Sequence, residues 1–322
     1  MRSRHVAIGS ALLLAGCHGS MAPPASEQTY LAAKHNWEFR ERFPRADRLF
    51  NGFDYGHAAL YESLITHDRD FARVDGPIFD FVTTQVLRHP PDVPLEEAAI
   101  GPEYAKLIPE VVAMFEWAHM LHRQLYDVWA AYDMNADARD SAVTRLVRYY
   151  RSRPDLAFSA RPKSMHLMEG QPYSLAFRRG APKYNGLLWS YHWFQMAIYD
   201  ALIEGKTERV LQHNVDSLVN RFFAMIADPP YSMPAEMPMS VMASPVFAER
   251  YPDAAIIFDN LHSLHDVVSD ILASPLVPKR DKRAAILRAA AAYRDDTTAV
   301  ISMDEWRMMD HMSTRPPRGA RP

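Results

Sequence analysis

Residues 184–204, YNGLLWSYHWFQMAIYDALIE, are apolar almost all the way round a helix. A helix without a polar face belongs at the centre of a fold, with other helices around it. His192 is then an interior residue, and Tyr199 lies on the same side two turns later. Nothing in the stretch alternates with the period of two that a strand needs. The centre of the molecule is therefore expected to be helical, with an imidazole inside it.

Helical periodicity recurs on both sides of this segment. The spacing predicts helices over 53–67, 76–88, 101–131, 136–152, 207–227, 253–273, 280–295 and 302–312. Asp253, after Pro252, is expected to be an N-cap. Pro90-Pro91, Pro229-Pro230 and the stretch 154–182 read as loops, and 229–248 as a Pro- and Met-rich loop. No internal repeat with matching motifs is legible, and no linker divides the body. The expectation is an all-α, single-domain helical bundle over 30–312.

The phase of the histidines is the most informative feature. In 53–67, His57 falls about 40° from Phe53, on the apolar stripe. In 101–131, His122 lies on the centre line of the stripe, with His119 and Tyr126 close by and Glu116 on the flank. In 253–273, His265 flanks the stripe at about 80°, while Asp259, His262 and Asp266 share the opposite face, which is either solvated or turned to a second group of helices. Four helices thus each aim an imidazole at or near the interior. A buried polar group without a partner costs roughly 1–3 kcal/mol, so several together need a shared reason. A metal ion is one, because neutral imidazole suits iron, copper and zinc. A buried hydrogen-bond network is the other.

The expected metal ligands are His119, His122, His192 and His265, with His57, Glu116 and His262 as further candidates. His119-x-x-His122 and His262-x-x-His265 each set two imidazoles within reach of one ion. Tyr126 and Tyr199 are placed to supply a proton or an electron. Glu116-x-x-His119 and Asp259-x-x-His262 resemble the acid-x-x-His pairs of ferritin-like di-iron bundles. The resemblance implies inward carboxylates, whereas here the second pair carries Asp for Glu and the other two helices offer His57 and His192. The same histidines could ligate a b-type haem, while c-type attachment is excluded because Cys-x-x-Cys-His is absent. Iron and copper are the favoured ions and zinc fits the same donors.

Met233, Met237, Met239 and Met242 crowd one loop, and Met303, Met308, Met309 and Met312 surround His311. Thioethers select Cu(I), which suggests copper storage or delivery, although methionine also fills irregular apolar gaps. Segment 164–178 is expected to pack as a loop, or to line the site with Glu169 and Gln171. A non-catalytic alternative is a helical surface for an envelope partner, with Trp37, Phe39, Phe43 and the loop 229–248 as the contact. Gly-x-Ser-x-Gly, phosphate-binding glycine loops and His-Glu-x-x-His are all absent.

The N-terminus reads as an address. In MRSRHVAIGSALLLAGC, Arg2 and Arg4 precede a short apolar run, and Leu14-Ala15-Gly16-Cys17 follows. This resembles the lipobox of bacterial lipoproteins. The resemblance implies removal of 1–16, acylation of Cys17 and, since His18 rather than Asp follows, outer-membrane sorting facing the periplasm. Dual acylation gives stable anchoring. Residues 17–29 then form a tether and 313–322 a disordered basic tail.

Composition agrees with a globular body. In 322 residues, 48% are apolar, enough for a sizeable core. A formal charge of −3, or −5 without residues 1–16, offers nothing to bind phosphates, so nucleic acid is not an expected partner. The single cysteine excludes disulfides, iron–sulfur clusters and cysteine catalysis once it is lipidated.

Overall fold

A computed structural model describes residues 29–309. The expected signal segment, Cys17 with residues 18–28 of the expected tether, and His311, Met312 and the expected tail lie outside them. The fold is all-α, and no strand occurs among the described residues. Eleven helices organise it: α1 (Glu38–Arg42), α2 (Pro44–Thr66), α3 (Pro102–Leu107), α4 (Pro109–Ala130), α5 (Ala136–Arg151), α6 (Ala176–Gly180), α7 (Pro182–Glu204), α8 (Glu208–Met225), α9 (Pro245–Arg250), α10 (Pro252–Ala273) and α11 (Lys282–Arg294).

These helices repeat one unit four times. A short helix (α1, α3, α6, α9) runs into a single break residue, then a proline, then a helix of 22 or 23 residues (α2, α4, α7, α10). The break residues Phe43, Ile108, Ala181 and Tyr251 share one backbone conformation, with φ from −127° to −138° and ψ from 55° to 67°. The cause is steric. Proline's ring disfavours the α conformation in the residue before it, yet proline itself fits the first helical position. Five residues before each proline stands a buried aromatic: Phe39, Tyr104, Phe177 and Phe247. The repeat is a finding that sequence reading missed, and it explains why the expected helix 101–131 is split at Pro109. Tyr251, not Asp253, is the N-cap of α10; Asp253 lies in its first turn.

The units are locked in reciprocal pairs by carboxylates 18 residues after each proline. Glu62 on α2 accepts from the backbone N–H groups of Glu103 and Tyr104 at the start of α3. Asp127 on α4 returns the contact, accepting from Trp37 and Phe39 at the start of α1. Asp200 on α7 does the same for Val246 and Phe247 of α9, and Asp270 on α10 for Leu175 and Phe177 of α6. Each short helix thus has its orphaned N-terminal donors satisfied by another unit.

The long helices form the centre: α2 and α4 each pack against α7 and α10. Outside them lie α5, α8 and α11, each burying one stripe, such as Leu211, Val215, Val219 and Phe222 of α8. In the first unit this place is taken by 71–86, where α-turns alternate with wider π-turns. No described helix is long and apolar enough to cross a membrane.

Several loop expectations change. The stretches 154–182 and 229–248 contain short helices, including α6 and Ser240–Ala243. Phe39 and Phe43 are core residues at 2% and 4% exposure, so they offer no contact surface to a partner. Met233, Met237 and Met239 are buried in the core, with Met233 Sδ 2.7 Å from where a Cβ on Gly186 would stand. Met242 is exposed.

Candidate metal centre

The four long helices bring six histidines together in the middle of the bundle. His57 comes from α2, His119 and His122 from α4, His192 from α7, and His262 and His265 from α10. All are buried, His119 the least so at 7% exposure. The repeat explains the convergence. Ten and thirteen residues after each proline stand Asp54 and His57, His119 and His122, His192 and Gln195, and His262 and His265. These spacings put both side chains on the inward face of each helix.

His57, His192 and His265 each present a ring nitrogen such that the three atoms lie within 4.8 Å of one another. The rings of His57 and His265 stand 4.2 Å apart, those of His57 and His192 5.5 Å, and those of His192 and His265 5.7 Å. His192 also stacks on His262 at 4.2 Å, and His262 on His122 at 5.7 Å, while His119 lies 5.5 Å from His265. All six sequence-predicted histidines are therefore in one cluster, including His262. The face of α10 that carries Asp259, His262 and Asp266 is buried, not solvated.

The carboxylates behave differently. Asp259 accepts from Ser240 N and Oγ and from Trp306 Nε1, so its oxygens are used in fastening Ser240–Ala243 and the helix Met303–Arg307. Asp266 accepts from Trp189 Nε1. Glu116 lines a cavity of about 20 Å³ together with Glu97, His119 and Asp54, room for one water, and its carboxyl is hydrogen-bonded to that of Glu96. Burial, then the neighbouring carboxylates of Glu96 and Asp54, push the Glu116 carboxyl up to about 7. Glu169 pairs with Arg178 and Gln171 donates to the His166 carbonyl, so neither lines the cluster.

Ten of the twelve ring nitrogens in the cluster are buried without a hydrogen-bond partner among the described residues. The other two are His119 Nδ1, 3.5 Å from Asp54, and His122 Nδ1. His122 Nδ1 lies 2.8 Å from the Tyr199 hydroxyl and 3.1 Å from that of Tyr126, which donates to the Gln195 carbonyl. One proton arrangement satisfies the chain: His122 Nδ1–H to Tyr199, Tyr199 to Tyr126, Tyr126 to the carbonyl. It leaves the His122 Nε2 lone pair pointing inward. Asp54, held at 2.7 Å by Arg123, orients His119 in the same sense. Ligating histidines are typically held this way, with the second nitrogen fixed by an outer partner. Tyr126 and Tyr199 thus act on the outer nitrogen of His122.

Burial and the neighbouring imidazoles lower the basicity of the cluster. Desolvation, then the proximity of His119, pushes His262 down to about 3, and His57, His122, His192 and His265 are also held well below the usual histidine range. All are neutral at physiological pH, the form that binds metals.

Asp54 and Gln195 are the members of the set that sequence reading passed over. Their signal was positional: each occupies a histidine's place in the repeated spacing. No family model matches the chain, and no curated protein or solved structure matches it.

Proposed function

We propose that this protein is a lipid-anchored metalloprotein of the cell envelope, whose His-lined centre binds a redox-active ion. The observation that carries the reading is the trio His57, His192 and His265, contributed by three helices, neutral and with both ring nitrogens of each unpartnered. Unsatisfied buried nitrogens at roughly 1–3 kcal/mol apiece rival the whole net stability of a domain, about 5–15 kcal/mol. An ion offers them a shared partner.

The donor set favours copper over iron. It consists of neutral imidazoles, while Asp259 and Glu116 have other contacts and Asp54 is paired with Arg123. Copper sits highest in the divalent series for nitrogen donors, and a monovalent Cu(I) would place least charge in the buried site. Zinc fits the same nitrogens. When bound, the ion would supply one-electron or oxygen chemistry. The chain's own part is to hold His122 and His119 through their outer nitrogens, and to exclude water with the aromatic walls of Phe53, Phe115 and Phe258.

The test is the metal content of the purified full chain by elemental analysis, with an optical spectrum. At least one equivalent of copper or iron is expected, lost in His192→Ala and in His265→Ala variants that keep their helical circular dichroism. A folded wild-type chain that takes up no metal on reconstitution would sink the reading.

A further inference from the structure

The reciprocal contacts between units describe a pseudo-twofold relation that exchanges the first unit with the second and the third with the fourth. The carboxylate caps obey it: Glu62 to α3 becomes Asp127 to α1, and Asp200 to α9 becomes Asp270 to α6. The tyrosines 17 residues after the first two prolines obey it as well. Tyr61 donates to the carbonyl of His265 at 3.1 Å, and Tyr126 to that of Gln195 at 2.8 Å. So do the rings. His57 and His192 at 5.5 Å become His122 and His262 at 5.7 Å, and the His192–His262 stack maps onto itself.

Applied to the trio His57, His192 and His265, the same exchange yields His122, His262 and Gln195. We propose that these three residues hold a second metal ion, through His122 Nε2, a ring nitrogen of His262 and Gln195 Oε1. The proposal rests on the reading of the first trio as a metal site. Its independent support is that these atoms are themselves buried and unpartnered: His122 Nε2, both nitrogens of His262, and Gln195 Oε1 on a side chain only 3% exposed. A buried amide oxygen without a partner, at the position that holds an inward histidine in the other three units, has no apolar explanation, since a leucine would fill the place without the desolvation cost. The positive Arg123 next to His122 does not oppose a cation there, because Asp54 and Asp47 both face it, at 2.7 and 3.6 Å.

The two positions are related but unequal. The first offers three imidazoles, the second two imidazoles and an amide oxygen, a weaker donor for late first-row ions. Loading is expected in two steps, tight then weaker. Gln195, at the position that holds a histidine in the other three units, is where the symmetry is broken in donor strength.

The experiment is a Co(II) titration of the full chain, followed optically and by elemental analysis after desalting, with unfolding curves for every variant. Wild type is expected to take two equivalents in resolved steps. Gln195→Leu should keep the first step unchanged and lose the second. Gln195→His should tighten the second step by about tenfold or more, the scale on which ligand-sphere changes act. His57→Ala should lose the first step. One equivalent in wild type, or two equivalents indifferent to Gln195→Leu and His122→Ala, would overturn the second position. If that single equivalent is still lost in His57→Ala, the first site stands. No uptake by folded wild type would overturn both.

Discussion

A buried imidazole is an awkward residue unless each of its nitrogens has an assigned partner. His122 shows the assignment most fully: Nδ1 is engaged by Tyr199 and Tyr126, and Nε2 faces the other histidines. Burial keeps both phenols protonated, with the Tyr126 and Tyr199 pKa values well above the ordinary range. The two hydroxyls back each other up, so Tyr199→Phe alone should cost little metal affinity while Tyr126→Phe/Tyr199→Phe should cost about 10- to 100-fold. Competition titrations with a chelator of known affinity would measure it. Equal, additive losses from the two single variants would show that the pair does not act as a unit.

At the scale of elements, the short helices owe their ends to acids far away in sequence. A helix of five or six residues has almost as many orphaned donors as internal bonds, so it does not stand alone. Removing a capping acid should therefore act on two units. Asp270→Ala, which strips the N–H partners of Leu175 and Phe177, is expected to cost about 2 kcal/mol in urea unfolding. The cap has a pH signature too. Burial holds the Asp270 carboxyl at about 6, above its unfolded value. The folded state then binds the extra proton, so this contribution is full below about pH 4 and is lost as pH rises through 6. The stability gap between wild type and Asp270→Asn should narrow from pH 5 to pH 8, and a gap that widens would contradict the sign.

At the scale of the molecule, four similar units enclose one site. The reciprocal caps tie the first to the second and the third to the fourth, while the histidine cluster lies where both pairs meet. An ion held by His57, His192 and His265 would join three of the long helices and be lost on unfolding, so it would stabilise by mass action. Metal-loaded protein is expected to melt several degrees above the chelated form, and that difference should shrink in His57→Ala/His265→Ala and vanish when His122→Ala is added. A shift undiminished by the double substitution, or one that survives the triple substitution, would place the stabilising ion elsewhere.

The sequence by itself determined that the body is helical and that histidines on four helices point inward, because helical phase is a local property that period and composition reveal. His57, His119, His122, His192 and His265 were legible in this way. Tertiary structure alone decided which of them meet, and it settled what phase left open at His262 and Asp259, because a face opposite the main stripe is solvated only if no second layer covers it. It also decided the fourfold unit. That pattern is a proline, an aromatic, two inward polar residues and an acid, spread thinly over some two dozen residues with no local periodicity of its own. The acid acts on the backbone of another unit, and Gln195 matters because of the histidine whose place it takes. Neither relation exists until the chain has folded and distant segments share one centre.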